Sequence, residues 1–170
     1  MSQIFESGMV FGEYKPEQIF KIEHSRLHKH VGIGVRTVEF ILLKGTGRIF
    51  FIEAKSSSPK EETNWERYHE FLKEITEKFI HSFDMLCSWY LGRADDEGEI
   101  GAELKEVSSD KATYIFVLVI RGHKPEWLLP LQDELNSMLR YHHSIWKSRV
   151  IVMNEVIARE YNLISQANSS

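Results

Sequence analysis

Cysteine is nearly absent from this chain: Cys87 is the only one in 170 residues. A lone thiol cannot close an internal disulfide or build a multi-thiolate zinc site, so a reducing compartment is the expected setting. Long apolar runs are missing too. No stretch approaches the roughly 18 residues that a membrane-spanning helix needs. Met1–Glu13 lacks a basic start followed by an apolar run, so a cytoplasmic protein with no membrane partner is expected. No Gly-x-Ser-x-Gly nucleophile motif is present. Gly32-Ile33-Gly34 and Gly45-Thr46-Gly47 lack the strand-to-helix context of a phosphate-binding fingerprint. Basic excess is also lacking, since 21 Lys+Arg stand against 25 Asp+Glu, a net of −4. That argues against a protein that coats nucleic acid by bulk basicity.

What is present suffices for a core. The chain is 42% hydrophobic and 12% aromatic, without internal repeats, and its length suits a single domain over residues 1–170. Its charge is unevenly spread. Arg93–Lys111 holds seven acids against three bases, and reads as an acidic solvated loop. Lys15–Lys60 holds nine Lys+Arg against four Glu, a net of +5, together with His24, His28 and His30.

The hydrophobic pattern orders the elements. Gln3–Tyr14 reads as extended. Pro16 can open a short helix to about Lys29, although the alternation Phe20, Ile22, His24 equally suits a strand. Val35–Leu43 and Arg48–Lys55 are rich in β-branched and aromatic residues, and Lys44-Gly45-Thr46-Gly47 between them is a turn signal; the pair reads as a hairpin. Glu61-Glu62 sit where acids favour a helix start, and from Trp65 to Tyr90 a 3.6-residue period places Trp65, Tyr68, Phe71, Leu72, Ile75, Phe79, Phe83 and Leu86 on one helix face, with Gly92 as the stop. Ala112–Ile120 suits a strand buried on both faces. Trp127–Trp146 reads as a second helix with Leu128, Leu131, Leu135, Met138 and Leu139 inward. Arg149–Met153 is a last strand and Glu155–Tyr161 a last helical turn or two. The fold class is α/β, a sheet flanked by helices.

A turn centred on Thr46 gives paired positions that sum to 92, so Glu39 falls opposite Glu53. Opposed carboxylates in an antiparallel pair are about 5 Å apart at Cβ and repel. Both lie within apolar strands, where an uncompensated charge is costly, so a partner is expected. Lys55 shares the face of Glu53, two residues on. A hard divalent cation suits two carboxylates, waters and a phosphate oxygen. The lysine could orient or deprotonate a water, or offset charge on the phosphate.

Glu39, thirteen intervening residues, then Glu53-Ala54-Lys55 resembles the signature of the PD-(D/E)XK nucleases, with Val38-Glu39 where that family places Pro-Asp. The resemblance covers about Pro16–Gly122. It implies a restriction endonuclease-like mixed β-sheet flanked by helices. It also implies Mg2+ (or Mn2+) held by Glu39 and Glu53, Lys55 as the catalytic lysine, Glu23 as a further carboxylate on a preceding helix, and DNA as substrate. With no separate recognition domain evident, a homodimer through the aromatic long helix, or a partner chain supplying specificity, is expected. A catalytically degenerate module of the same fold, serving nucleic-acid binding or assembly, and a pure protein-interaction domain are the alternatives.

Other residues carry less. Ser56 and Ser57, following Lys55, could contact phosphate at the start of the next helix. His24 and His28 stand at i, i+4, but no third ligand at fixed spacing accompanies them, which favours a phosphate-contacting or structural role over zinc. His142 and His143 point about 100° apart on a helix and would rarely share a ligand. Trp65, Trp89, Trp127 and Trp146 read as core or interface, and Cys87 as unreactive.

Overall fold

A computed structural model describes residues 1–165. Its centre is the hairpin of β4 (Phe40–Lys44) and β5 (Arg48–Lys55). Gly45 at φ 68° makes the turn, a conformation that costs glycine nothing. The pairs run from Lys44–Arg48 to Phe40–Ile52, so the register expected from the turn holds over the whole ladder.

β5 lies at a seam. On one side it pairs antiparallel with β4, which pairs antiparallel with the short β3 (Ile19–Phe20). On the other it pairs parallel with β6 (Thr113–Ile120), itself parallel to β7 (Arg149–Met153). The mixed sheet has the order β3-β4-β5-β6-β7. Parallel neighbours need crossovers, supplied by α2 (Trp65–Tyr90) and α4 (Pro125–Met138). Asn64 caps α2, its side chain accepting from the Arg67 N–H, and Gly92 follows its end at φ 71°.

Both faces of the sheet are covered. Ile41, Leu43, Ile49, Phe51, Phe116 and Leu118 pack against Leu72, Ile75, Phe79 and Phe83 of α2 and Leu131 and Leu135 of α4. Phe40, Leu42, Phe50, Ile52 and Val117 pack against a second hairpin, β1 (Ser2–Glu6) with β2 (Met9–Tyr14), and against the C-terminal α6 (Glu155–Glu160). β6 is buried from Tyr114 to Ile120, as its apolar run requires.

Four expectations change. The Pro16–Lys29 segment is not one helix. It makes a 3-10 turn (Pro16–Gln18), β3, and α1 (Arg26–Val31) capped by Ser25, which leaves Glu23 in the turn between β3 and α1. The first strand of the central hairpin starts at Phe40, not Val35. The Arg36 N–H donates to His81 Nδ1 at 3.0 Å and the Val38 N–H to Ser82 Oγ at 2.9 Å, so α2 takes the donors a longer strand would use. The second long helix breaks at Leu139 into α4 and α5 (Arg140–Trp146); its buried stripe runs Leu128, Leu131, Leu135, Leu139 and leaves Met138 exposed. On α2 the apolar face turns into the core except at Trp65, 61% exposed, so the aromatic helix face expected to mediate a dimer is used within the fold.

The acidic segment is also more than a loop. α3 (Ala102–Glu106) forms within it, and Ile100 and Leu104 are buried in the core. It docks on the 3-10 turn through Gly101, whose N–H donates to the Ile19 carbonyl at 3.0 Å. A Cβ on Gly101 would lie 2.4 Å from the Glu17 carbonyl oxygen and 2.7 Å from that of Pro16. Both obstacles are backbone, so the segment would have to move. Gly101→Ala is therefore expected to destabilise the protein by about 1–3 kcal/mol, measured by urea unfolding. An unchanged midpoint would show that the docking of this segment contributes nothing to the fold.

Candidate active site

Topology collects the charged side chains at one edge of the sheet. β3 and β5 both run antiparallel to β4. The chain therefore leaves β3 towards Glu23, enters β4 after Glu39 and leaves β5 at Glu53–Lys55, all at the same edge. The β1–β2 turn reaches it as well, because Ser7 Oγ donates to the Ala54 carbonyl at 3.0 Å, which brings Glu6 alongside.

Glu53 has no solvent exposure. Its Oε1 accepts from Lys78 Nζ of α2 at 2.7 Å and lies 3.4 Å from Lys55 Nζ, while Oε2 has no partner. Burial pushes this carboxyl above its ordinary range, and the two ammonium groups pull against that. Lys55 also donates to Glu74 Oε1 at 3.1 Å. Burial alone would lower Lys55, but the carboxylates of Glu53 and Glu74 outweigh it and hold the ammonium above its usual value. The same-face placement of Glu53 and Lys55 is thus realised.

The ladder stops one pair short of Glu39. The Glu39 N–H donates to the Ile52 carbonyl at 3.1 Å, although Ile52 already faces Phe40 in the register. Two consecutive residues thus address one partner, as in a β-bulge, and such an irregularity re-aims the side chain. Glu39 joins Glu23 and Glu6: one carboxylate oxygen from each lies within 4.8 Å of the others. Burial, a hydrogen bond with Glu23 and the charge of Glu53 push Glu39 up to about 9. Burial and Glu23 also raise Glu6. Crowded carboxylates that retain a proton are the expected state of an acidic cluster without a cation. The donor set is all oxygen, which fits a hard dication such as Mg2+ or Mn2+ rather than a soft metal. The fit is to Glu39, Glu23 and Glu6, with Glu53 beside them and engaged by two lysines.

Glu6 and Lys78 were not anticipated. Glu6 arrives from a separate hairpin, and its position follows only from how that hairpin packs. Lys78 sits between Glu77 and the buried Phe79, with no sequence mark to set it apart from other helix lysines. Ser56 and Ser57 are exposed and do not begin a helix, since α2 starts only at Trp65 behind its own cap. His24 and His28 form no metal pair. His28 Nδ1 accepts from the His24 N–H at 3.3 Å, so Nε2 carries the proton and donates to the Val35 carbonyl at 2.8 Å. His142 and His143 diverge on the helix, and the Ser148 hydroxyl of the following loop reaches between them, 2.9 and 2.7 Å from their Nδ1 atoms. Burial lifts the Cys87 thiol to about 12, in keeping with an unreactive side chain. Among the described residues no helix is long and apolar enough to cross a membrane.

No protein-family model, curated protein or solved structure matches the chain. The functional reading rests on these residues alone.

Glu39 supplies a pH test. A carboxyl with a raised folded-state pKa contributes stability that is complete below its unfolded value, 4.5, and lost as pH climbs through about 9. In chelator the melting temperature is expected to fall between about pH 5 and about pH 9, and Glu39→Gln to flatten that fall. Mg2+ should restore the alkaline end, because ionised Glu39 is the better ligand. A wild-type profile as flat as that of Glu39→Gln would remove the crowded carboxylate from the argument.

Proposed function

We propose that the chain is a divalent-metal-dependent phosphodiesterase of the PD-(D/E)XK kind, with a restriction endonuclease-like fold, that cleaves DNA. The observation that supports it most is a fully buried Glu53 two residues before Lys55 on the seam strand, near enough to Glu39 for its charge to push that carboxyl up. A carboxylate of this kind is costly as structure and useful as chemistry.

Glu39, Glu23 and Glu6 would hold Mg2+ or Mn2+, with the free oxygen of Glu53 as a further ligand. Such an ion supplies positive charge to phosphate oxygens when bound. Lys55, held protonated by Glu53 and Glu74, acts as a donor that orients water and offsets charge developing on the phosphate. Glu53 fixes where that ammonium points. Lys78 keeps Glu53 in place from the helix side.

One observation favours the degenerate module instead. The ammonium of Lys78 already neutralises Glu53 from within the protein, as a cation would. Assays of plasmid and single-stranded DNA separate the two readings. Cleavage is expected with Mg2+ or Mn2+ and not with EDTA, and Lys55→Ala should lower its rate by about a hundredfold or more. Unchanged cleavage by Lys55→Ala would overturn the assigned mechanism. Absence of both cleavage and Mn2+ binding would favour the module.

A further inference from the structure

The fifteen residues between Glu23 and Glu39 form an excursion whose two ends both enter the acidic cluster. Its tip is apolar and bare. Ile33 is 109% exposed, more accessible than in an extended reference chain, and Val31 is 45% exposed. Gly32 and Gly34 flank Ile33 at φ 93° and 94°, and neither would meet a neighbour if it carried a Cβ. The tip therefore projects clear of the protein.

Its base, by contrast, is fixed. Ser25 caps α1, Leu27 is buried, and His28 ties the turn before α1 to Val35 on the segment returning to β4. What sets Ile33 apart from a single exposed apolar residue, which is ordinary on a protein surface, is that it stands next to exposed Val31 on a braced, glycine-flanked turn with open space on both sides. Between Glu23 and Glu39 the chain carries no acid, while Lys29 and His30 beside the tip are exposed and basic in type. An apolar point with flanking cations matches a polyanion with an apolar interior, which is a nucleic-acid duplex.

We infer that the Val31–Ile33 turn is a wedge that enters a DNA groove and unstacks a base step, with Lys29 on the adjoining phosphate. The inference rests on the nuclease reading and narrows its substrate to duplex DNA that can be kinked near the point of cleavage. Six residue steps, at most about 20 Å of chain, lead from Ile33 to Glu39. That reach places the kink within a few base pairs of the carboxylates.

The test uses the full chain with a duplex carrying 2-aminopurine, whose fluorescence rises on unstacking, and Ca2+ in place of Mg2+ during binding. Wild type is expected to bind and to raise the fluorescence. Ile33→Asp should abolish the rise and weaken binding about ten- to a hundredfold, and Ile33→Met should retain both. All three proteins should melt alike, since Ile33 is fully exposed. If wild type cleaves and binds DNA but Ile33→Asp binds and unstacks equally well, the wedge is overturned and the nuclease reading stands. If wild type neither binds nor cleaves, the nuclease reading fails and takes the wedge with it. Loss of binding to phosphatidylserine vesicles in Ile33→Asp, with DNA binding unchanged, would show a membrane-inserting tip and also overturn the proposal.

Discussion

The ion pair between Glu53 and Lys78 is the constraint around which the rest is arranged. Taking a carboxylate fully out of water costs several kcal/mol, and an ammonium at hydrogen-bond distance offsets that only when the geometry is good. Lys78 stands three residues after Ile75 and one before Phe79, both fully buried. The pair therefore fixes which turn of α2 lies over β5, and with it the interlock of Phe79 and Phe83 with Phe116 and Phe51. Two apolar residues of similar volume would hold α2 in place at lower cost. Stability alone does not account for a charge at this position; the proposed chemistry would give the carboxylate a use.

The charges around Glu53 are out of balance. Glu6, Glu23, Glu39, Glu53 and Glu74 converge on one sheet edge, while Lys55 and Lys78 are the cations that contact Glu53. With every group ionised the edge would be strongly negative and would repel a phosphate. The protein alone relieves this by leaving a proton on Glu39. A dication would relieve it better and leave the edge able to receive an anion; on the proposed nuclease reading, affinity for a phosphodiester would then be linked to affinity for the cation.

The parts of this arrangement legible in the sequence are those fixed by short-range periodicity. Turn chemistry at Gly45 set the hairpin register, and alternation put Lys55 beside Glu53. The 3.6-residue stripe placed α2 to its last residue, Tyr90, although its start slipped because Asn64, not the earlier acids, is the cap. What could not be read depends on tertiary approach. Glu6 belongs to another hairpin, and Lys78 is one of two lysines on α2 with nothing in the sequence to separate it from Lys73. Val35–Glu39 has strand composition, yet His81 and Ser82 intercept its backbone donors. That interception aims Glu39 at Glu23 and not squarely at Glu53, a change of partner that no pairing rule contains.

The acidic segment shows how far the uneven charge of the chain is structural. Its anchorage is apolar and backbone-based, through Ile100, Leu104 and Gly101. From that anchor Glu99 accepts from the Arg26 N–H at 2.9 Å and Glu97 pairs with the Arg26 guanidinium at 2.6 Å. The exposed ion pair adds little stability by itself, but the bond to the Arg26 backbone holds the start of α1, which follows Glu23 by three residues. Arg26 is thereby engaged by Glu97 and Glu99, and Lys29, one turn further out, has no acidic partner among the described residues. The net charge of −4 is thus no obstacle to an anionic partner. Part of it is spent fixing the element that carries Glu23 and deciding which of the neighbouring cations remains free.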